Sequence, residues 1–241
     1  MKFDILSLFP EMFEPLKSSI IGRAEKNEFI KINLINIRDF SNDKHKKVDD
    51  TPYGGGAGMV MMPNVVYDAY SSIEDKDNAK VIYLTPQGKT LTQKKVVDLS
   101  KEKHLILLCG HYEGIDQRVI DEIVDEEISI GDYVLTGGEL PAMVLIDAVS
   151  RFVSGVLSNG SNEDESFTNG LLEYPQFTRP EIFLDKKVPE ILISGNHEKI
   201  NEWRKIESLR NTYLKRPDLL DDISLSKEDK ISLEKIKNEC K

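Results

Sequence analysis

One uninterrupted apolar run constrains the fold of this chain more than any other segment. Leu105-Ile106-Leu107-Leu108 is typical of a strand buried on both faces, as occurs at the centre of a parallel sheet. Other strand-like segments lie at residues 2–8, 30–37, 80–85 and 124–130, and helix-like stretches separate several of them. This alternation predicts an α/β fold in which the strand at residues 104–109 is central.

A glycine-rich turn follows the last of these strands. Gly131, Gly137 and Gly138 allow positive φ and close approach of the backbone to a bound group, and Pro141 suits the first turn of a helix. The segment therefore offers backbone donors to a ligand. An ordinary connection between a strand and a helix would have the same spacing, so the turn alone leaves both interpretations open.

The helix predicted after Pro141 has two distinct faces. Its apolar positions, at helical spacing, are Leu145, Ala148, Val149 and Phe152. Asp147 and Arg151 share another face, where the i, i+4 spacing favours an exposed ion pair unless other information assigns them a function.

Composition limits the cellular setting and the partners. The net charge of −10 opposes nucleic-acid binding overall, although a local basic patch can still face phosphate. Two cysteines, Cys109 and Cys240, are too few for a disulfide framework, which favours a reducing compartment. No apolar run approaches the length of a membrane span, and no signal peptide is apparent. We therefore expect a cytoplasmic protein that does not enter a membrane.

The second half of the chain predicts a linker followed by a helical unit. Residues 158–170 are too polar to order themselves by burial, so they are predicted to form a linker. On composition alone, Asp164 and Glu165 fit solvated charges of this linker better than catalytic groups. A helical pattern then covers residues 200–213. Six basic residues outnumber two acidic ones between positions 199 and 216, and residues 44–47 form a second basic group. Each group fits either a solvated face or an RNA contact.

Three familiar motifs are disfavoured. The glycine required before Gly88-Lys89-Thr90 in a phosphate loop is replaced by Tyr83, and the last glycine of a dinucleotide fingerprint starting at Gly54 is replaced by Met59. Cys109, His111 and Glu113 alternate like metal ligands, but no second ligand pair accompanies them. We therefore predict no resident metal among the site residues.

Several segments together resemble the bacterial tRNA (guanine-N1)-methyltransferase family, TrmD. They comprise residues 9–13, 50–56, 83–88, 109–118 and 170–180, together with the glycine-rich turn, in one order along essentially the whole chain. The resemblance implies a SPOUT-type, mainly parallel sheet with a deep trefoil knot, followed by a small all-α C-terminal domain. It implies an S-adenosylmethionine-binding domain at 1–157, a linker carrying the catalytic carboxylate at 158–170, and a tRNA-binding domain at 171–241.

The family likeness also implies partners and a cofactor site. The partners are tRNA and a second copy of the chain, with the site at the subunit interface. S-adenosylmethionine is the methyl donor, and activity is expected to depend on Mg²⁺. The matching cofactor positions are Leu84, Thr85, Pro86, Gly110, Tyr112, Glu113, Gly114, Ile130, Gly131, Asp132, Tyr133, Val134, Leu135, Gly137 and Gly138.

The implied reaction methylates N1 of the guanine immediately 3′ of the anticodon. A base must remove the N1 proton while a cation stabilises charge on O6. The resemblance assigns these roles to Glu165 and Arg151, with Asp164 as a second carboxylate within reach. The family carries Asp where this chain has Glu165. Two alternatives remain: an RNA- or cofactor-binding SPOUT protein without turnover, and a SPOUT enzyme that methylates ribosomal RNA.

Overall fold

The computed structural model describes residues 1–158, 165–221 and 223–239. The chain divides into two compact units, Met1–Asn159 and Gly160–Lys241. Within the described residues, no helix combines the length and apolar character needed to cross a bilayer.

A five-stranded sheet with all neighbours parallel forms the centre of the first unit, in the order β2-β1-β6-β5-β7. The strands are β1 (Lys2–Ser7), β2 (Lys31–Asn36), β5 (Lys80–Thr90), β6 (His104–Cys109) and β7 (Glu126–Ser129), and β3 (Asp49–Asp50) pairs with β4 (Val60–Met61) in a separate antiparallel ribbon. Every residue of β6 is buried in the middle of the sheet. The predicted α/β fold and the central position of this strand are confirmed.

Helices cover both faces of the sheet. They are α1 (Ser19–Lys26), α2 (Pro63–Ser71), α3 (Gln93–Leu99), α4 (Gln117–Ile123) and α5 (Glu139–Ser150), with 3-10 helices at Pro10–Lys17, Ile37–Phe40 and Lys76–Asn78. Alternate residues of β6 enter two separate cores: Leu105 and Leu107 pack with α1, α3 and α5, whereas Ile106 and Leu108 pack with α2 and α4. The period-2 geometry of a strand explains why a continuously apolar run is needed here.

Two boundaries differ from the sequence prediction. Strand β5 continues to Thr90, because after a bulge Lys89 and Thr90 pair again with β7. Gly88 allows this contact, since an added Cβ would lie 2.4 Å from the carbonyl carbon of Glu127. Helix α5 begins at Glu139, so Pro141 is its third residue and still lies in the first turn, where its missing N–H costs no hydrogen bond.

A polar cluster crosslinks three strands at the amino-terminal edge of the sheet. The buried Asp4 carboxylate accepts from Asn33 Nδ2 at 2.6 Å and contacts Lys2 Nζ at 2.8 Å and His104 Nε2 at 2.7 Å. Burial raises the pKa of Asp4, but hydrogen bonds from Lys2, Asn33 and His104 outweigh it and hold the pKa below its ordinary value. The cluster lies at the edge of the sheet opposite the carboxyl ends of the strands.

The second unit is mainly helical. It contains α6 (Glu190–Ile193), α7 (His197–Lys215) and α8 (Lys227–Glu239), a 3-10 helix at Pro217–Leu220, and a hairpin of β8 (Ile182–Phe183) and β9 (Lys186–Lys187). The buried Thr212 hydroxyl of α7 accepts from the Leu172 N–H at 2.9 Å. This bond fixes the segment that follows the predicted linker against the longest helix of the unit.

Candidate active site

Three loops meet at the carboxyl edge of the sheet around a cavity of about 230 Å³. The first is the bulge of β5 between Leu84 and Lys89, and the other two follow β6 and β7. Ligands of open α/β sheets bind at this edge. All the predicted cofactor residues except Asp132 line the cavity. The lining also includes His111 and Thr136, which lie within the predicted loops, and Gln87, which was not predicted.

Close backbone approach joins the second and third of these loops. His111 and Gly137 form an isolated β-bridge, and the Gly138 N–H donates to the Gly110 carbonyl at 2.9 Å. A Cβ on Gly138 would lie 2.7 Å from the Cys109 Cα, closer than real Cβ atoms come. Gly137 and Gly138 are therefore required for space. The prediction that they adopt positive φ is wrong, since only Gly131 of the three does so, at 152°.

A second glycine-rich segment, which the sequence left unassigned, borders the loop after β6. The Glu113 N–H donates to the Met59 carbonyl at 3.0 Å, and the Met61 N–H donates to the Gly114 carbonyl at 2.9 Å. A Cβ on Gly58 would lie 2.3 Å from a carboxylate oxygen of Glu113. The glycines were the available signal, but their partner loop is more than fifty residues away along the chain.

A buried carboxylate that the sequence did not identify supports the cavity. Glu139, the first residue of α5, is 1% exposed and accepts a 2.7 Å hydrogen bond from Ser7 Oγ. Nδ1 of His111 is also buried and has no hydrogen-bond partner within the described part of the chain, while its ring contacts the rings of Phe9 and Tyr112. Glu139 stands between a glycine pair and the apolar run Leu140–Met143, and no pattern in these residues shows which distant residue its carboxylate would meet.

Cys109 is a buried, neutral thiol at the end of β6. Complete burial, reinforced by the charge of Glu139, raises the pKa of the Cys109 thiol well above its ordinary value. Among the described residues, no group of three or more His, Cys, Asp or Glu side chains is arranged to hold an ion.

The predicted catalytic residues fall in different units. Arg151 directly follows α5, and its N–H donates to the Asp147 carbonyl at 3.4 Å. Its half-buried side chain does not line the cavity at the carboxyl edge of the sheet, called the cofactor-type cavity below. Glu165 lines a second cavity, of about 450 Å³, in the second unit, and its carbonyl accepts from the Thr168 N–H at 3.2 Å. Asp164 lies outside the described residues.

Much of the charge in the two basic groups is neutralised locally. In the first, Lys47 pairs with Asp50 at 3.0 Å, and Lys46 donates to the backbone carbonyls of Asp39 and Ser41. On α7, Lys205 pairs with Asp229 at 2.6 Å, and Arg210 pairs with both Glu207 and Glu239. Counting basic residues along the sequence therefore overstates the charge available to RNA.

Comparisons with known proteins match nearly the whole chain. The family model described as tRNA (Guanine-1)-methyltransferase TrmD matches residues 1–222. A Ruminiclostridium cellulolyticum protein named tRNA (guanine-N(1)-)-methyltransferase is 63% identical over 227 residues, covering 92% of this chain and 97% of the relative. A protein of the same name from Alkaliphilus oremlandii is 59% identical over 243 residues, covering 97% of this chain and 98% of the relative. The chain belongs to the TrmD family of tRNA (guanine-N1)-methyltransferases.

Proposed function

We propose that the protein transfers a methyl group from S-adenosylmethionine to N1 of the guanine immediately 3′ of the anticodon in tRNA. The observation that carries this proposal is the convergence of three family-matched loops on one cavity at the carboxyl edge of the sheet. Membership of the family and the names of its relatives support the reaction. The same likeness supports a SPOUT fold with a trefoil knot, in which these loops belong to the knot.

The cavity suits a cofactor that is recognised mainly by backbone groups. Five glycines in its lining carry no side chain, so the backbone itself borders a partly apolar space; they are Gly110, Gly114, Gly131, Gly137 and Gly138. Leu84, Tyr112 and Leu135 contribute apolar or aromatic surface. When bound, S-adenosylmethionine supplies an electrophilic methyl group on sulfonium, and the three loops hold it in one orientation.

Two side chains complete the chemistry. Glu165 removes the N1 proton of guanine, and Asp164, its neighbour in sequence, provides a second carboxylate. The Arg151 guanidinium stabilises the negative charge that develops on O6, a charge-assisted interaction strongest in the transition state. Glu165 is one methylene longer than the aspartate usual in the family, so its reach toward N1 differs from that of its relatives.

The functional molecule is a homodimer with its site at the subunit interface. Apolar side chains beside the cofactor-type cavity support this assembly: Val134 is 82% exposed, and Leu140 and Val144, one turn apart on α5, are each 47% exposed. A second copy would cover these groups and bring its residues 171–241 to bind tRNA, while residues 158–170 link the two domains. We place this assembly in the cytoplasm.

A divalent ion has no assigned place in this mechanism. The described residues contain no group of three or more His, Cys, Asp or Glu side chains suited to an ion. The Mg²⁺ dependence implied by the family likeness stays a proposal to which no residue is assigned.

The test uses methyl-labelled S-adenosylmethionine with an unmodified tRNA transcript. We expect 1-methylguanosine at the position 3′ of the anticodon, detected by nuclease digestion and mass spectrometry. A transcript with adenine at that position and a ribosomal RNA transcript are the controls, and both should remain unmethylated. Absence of product from a folded dimer that binds the cofactor would favour the binding protein without turnover, for which the unusual Glu165 is the specific support.

A further inference from the structure

The second cavity has a wall of polar side chains from one helix. Asn201, Arg204, Lys205 and Ser208 of α7 follow i, i+3, i+4, i+7 spacing and all line it. Residues 171–174 and 223–225 supply the facing walls. Ser208 Oγ donates to the Leu172 carbonyl and Lys205 pairs with Asp229, so Asn201 and Arg204 are the residues of this row whose polar groups can meet a ligand in the cavity of about 450 Å³.

Arg204 has an unmet hydrogen-bonding capacity in this cavity. Its Nε is buried and has no hydrogen-bond partner among the residues that the structure describes, and its guanidinium carbon lies 4.9 Å from the centre of the Tyr174 ring. In the described part of the chain, no carboxylate lies within ion-pairing distance of Arg204, whereas Arg210 on the same helix has two. An unpartnered buried donor on a cation is costly, and a bound anion would remove that cost.

The remaining charges at the cavity leave Arg204 as the available cation. Lys205 and Asp229 neutralise each other at 2.6 Å, and Asp229 also accepts from Ser226 Oγ at 2.7 Å. Glu173 is solvent-exposed, and Glu165 carries the proposed catalytic role. Asn201 and Ser224 add neutral groups, so Arg204 is the cation available to a ligand, although the lining as a whole has three carboxylates against two cations.

We propose that Arg204 binds a phosphodiester group of the substrate RNA in this cavity. The planar guanidinium matches two phosphate oxygens, and stacking on Tyr174 holds its plane in place before the ligand arrives. The inference rests on the proposed function, since Glu165 lines the same cavity and acts on the target guanine. A phosphate here would fix the backbone of the anticodon loop beside that base.

The first experiment measures binding of the full-length protein to unmodified tRNA, without methyl donor, across a series of salt concentrations. Arg204→Gln is compared with Arg210→Gln, whose guanidinium is already paired. Loss of one phosphate contact should lower the slope of log affinity against log salt by about one and weaken binding about tenfold at low salt. The control should keep the wild-type slope. An unchanged slope in folded Arg204→Gln would overturn the proposal.

The second experiment identifies the RNA group. Transcripts carrying one neutral methylphosphonate linkage at a time through the anticodon loop are tested against both proteins. We expect one linkage to weaken wild-type binding about tenfold and to have no further effect on Arg204→Gln. Arginine also binds the O6 and N7 edge of guanine. If a single guanine-to-inosine or guanine-to-adenine change, rather than a linkage, shows this coupling, the ligand is a base and the phosphate assignment is wrong.

Two further measurements keep these outcomes separable. Arg204→Lys retains the positive charge, so it should keep the wild-type salt slope even if its affinity falls. If the glutamine variant misfolds, this variant still shows whether a positive charge at position 204 sets the salt dependence. Methylation by the wild-type preparation is assayed alongside. A salt-slope effect without methylation would contradict the proposed function only, whereas methylation with an unchanged slope would contradict the phosphate site only.

Discussion

Ser7 Oγ donates a 2.7 Å hydrogen bond to Glu139 Oε1, and both side chains are buried. The bond joins the end of β1 to the start of α5, two elements separated by most of the first unit. A Cβ on Gly137 would lie 2.4 Å from the other carboxylate oxygen of Glu139. The Ser7–Glu139 pair therefore packs directly against the loop that contains Gly137 and lines the cofactor-type cavity.

Removing this bond should weaken both the fold and the cavity. Ser7→Ala leaves a buried carboxylate without its hydroxyl donor, so the free energy of unfolding in urea should fall by about 2 kcal/mol. The Kd for S-adenosylmethionine, measured by calorimetry, should rise. Ser18→Ala is the control, because it loses an exposed 2.7 Å bond to the Pro15 carbonyl. If Ser7→Ala and Ser18→Ala lost equal free energy of unfolding, the buried bond would contribute no more to stability than the exposed one.

Gly138→Ala should damage the cofactor site through steric conflict. The new Cβ would lie 2.7 Å from the Cys109 Cα, and backbone on both sides leaves no flexible group to move. Overpacking of this kind costs about 1–3 kcal/mol, so we expect at least a tenfold loss in affinity for S-adenosylmethionine. Gly195→Ala is the control for backbone strain without steric conflict, since its φ is 71° but no atom lies within 4 Å of an added Cβ, and it should leave cofactor affinity unchanged. Tight cofactor binding by Gly138→Ala would contradict the close approach.

Arg151→Ala should reduce kcat and leave the Kd for S-adenosylmethionine within about twofold of wild type. The expected rate loss is about 10²–10³-fold, the range for loss of one group that stabilises a developing oxyanion. Single-turnover methylation of tRNA measures the chemical step directly. Arg23→Ala, at an exposed position on α1, is the control. A parallel loss of cofactor affinity would instead indicate a structural role for Arg151.

The two linker carboxylates should be distinguishable by separate substitution. Glu165→Gln removes the proposed base and should lower the single-turnover rate by about 10²–10⁴-fold, as expected for general-base catalysis. Glu165→Asp, which restores the residue usual in the family, should retain or raise the rate. Asp164→Asn should have a small effect. Similar modest losses from Glu165→Gln and Asp164→Asn would mean that neither carboxylate is the sole base.

The Asp4 cluster should make stability depend on pH at the acid end. Because the folded protein lowers the pKa of Asp4, the carboxylate contributes fully above its unfolded pKa, and this contribution is lost as the pH falls through the folded value. The free energy of unfolding of the wild type, measured in urea, should fall below about pH 4. Asp4→Asn should have a lower free energy of unfolding at neutral pH, and that value should change less as the pH falls. Asp68→Asn, at an exposed site, should follow the wild-type curve.

Periodicity and local motifs determined much of the fold. The continuous apolar run at Leu105–Leu108 could be satisfied only by burial on both faces, and the apolar spacing after Pro141 required a helix with a buried side. Strong local patterns such as these depend on residues near one another in sequence, so they can be interpreted without the tertiary structure. The ordered motifs likewise indicated the family.

Only the tertiary structure decided what depends on contacts between distant residues. It buried Glu139 against Ser7, placed the loop at Gly58 beside Glu113, and showed that Gly137 and Gly138 are needed for space and not for positive φ. It also paired Lys205 and Arg210 of α7 with carboxylates while leaving Arg204 without one among the described residues. Burial and charge pairing are properties of neighbours in space, and the sequence alone does not state which residues those neighbours are.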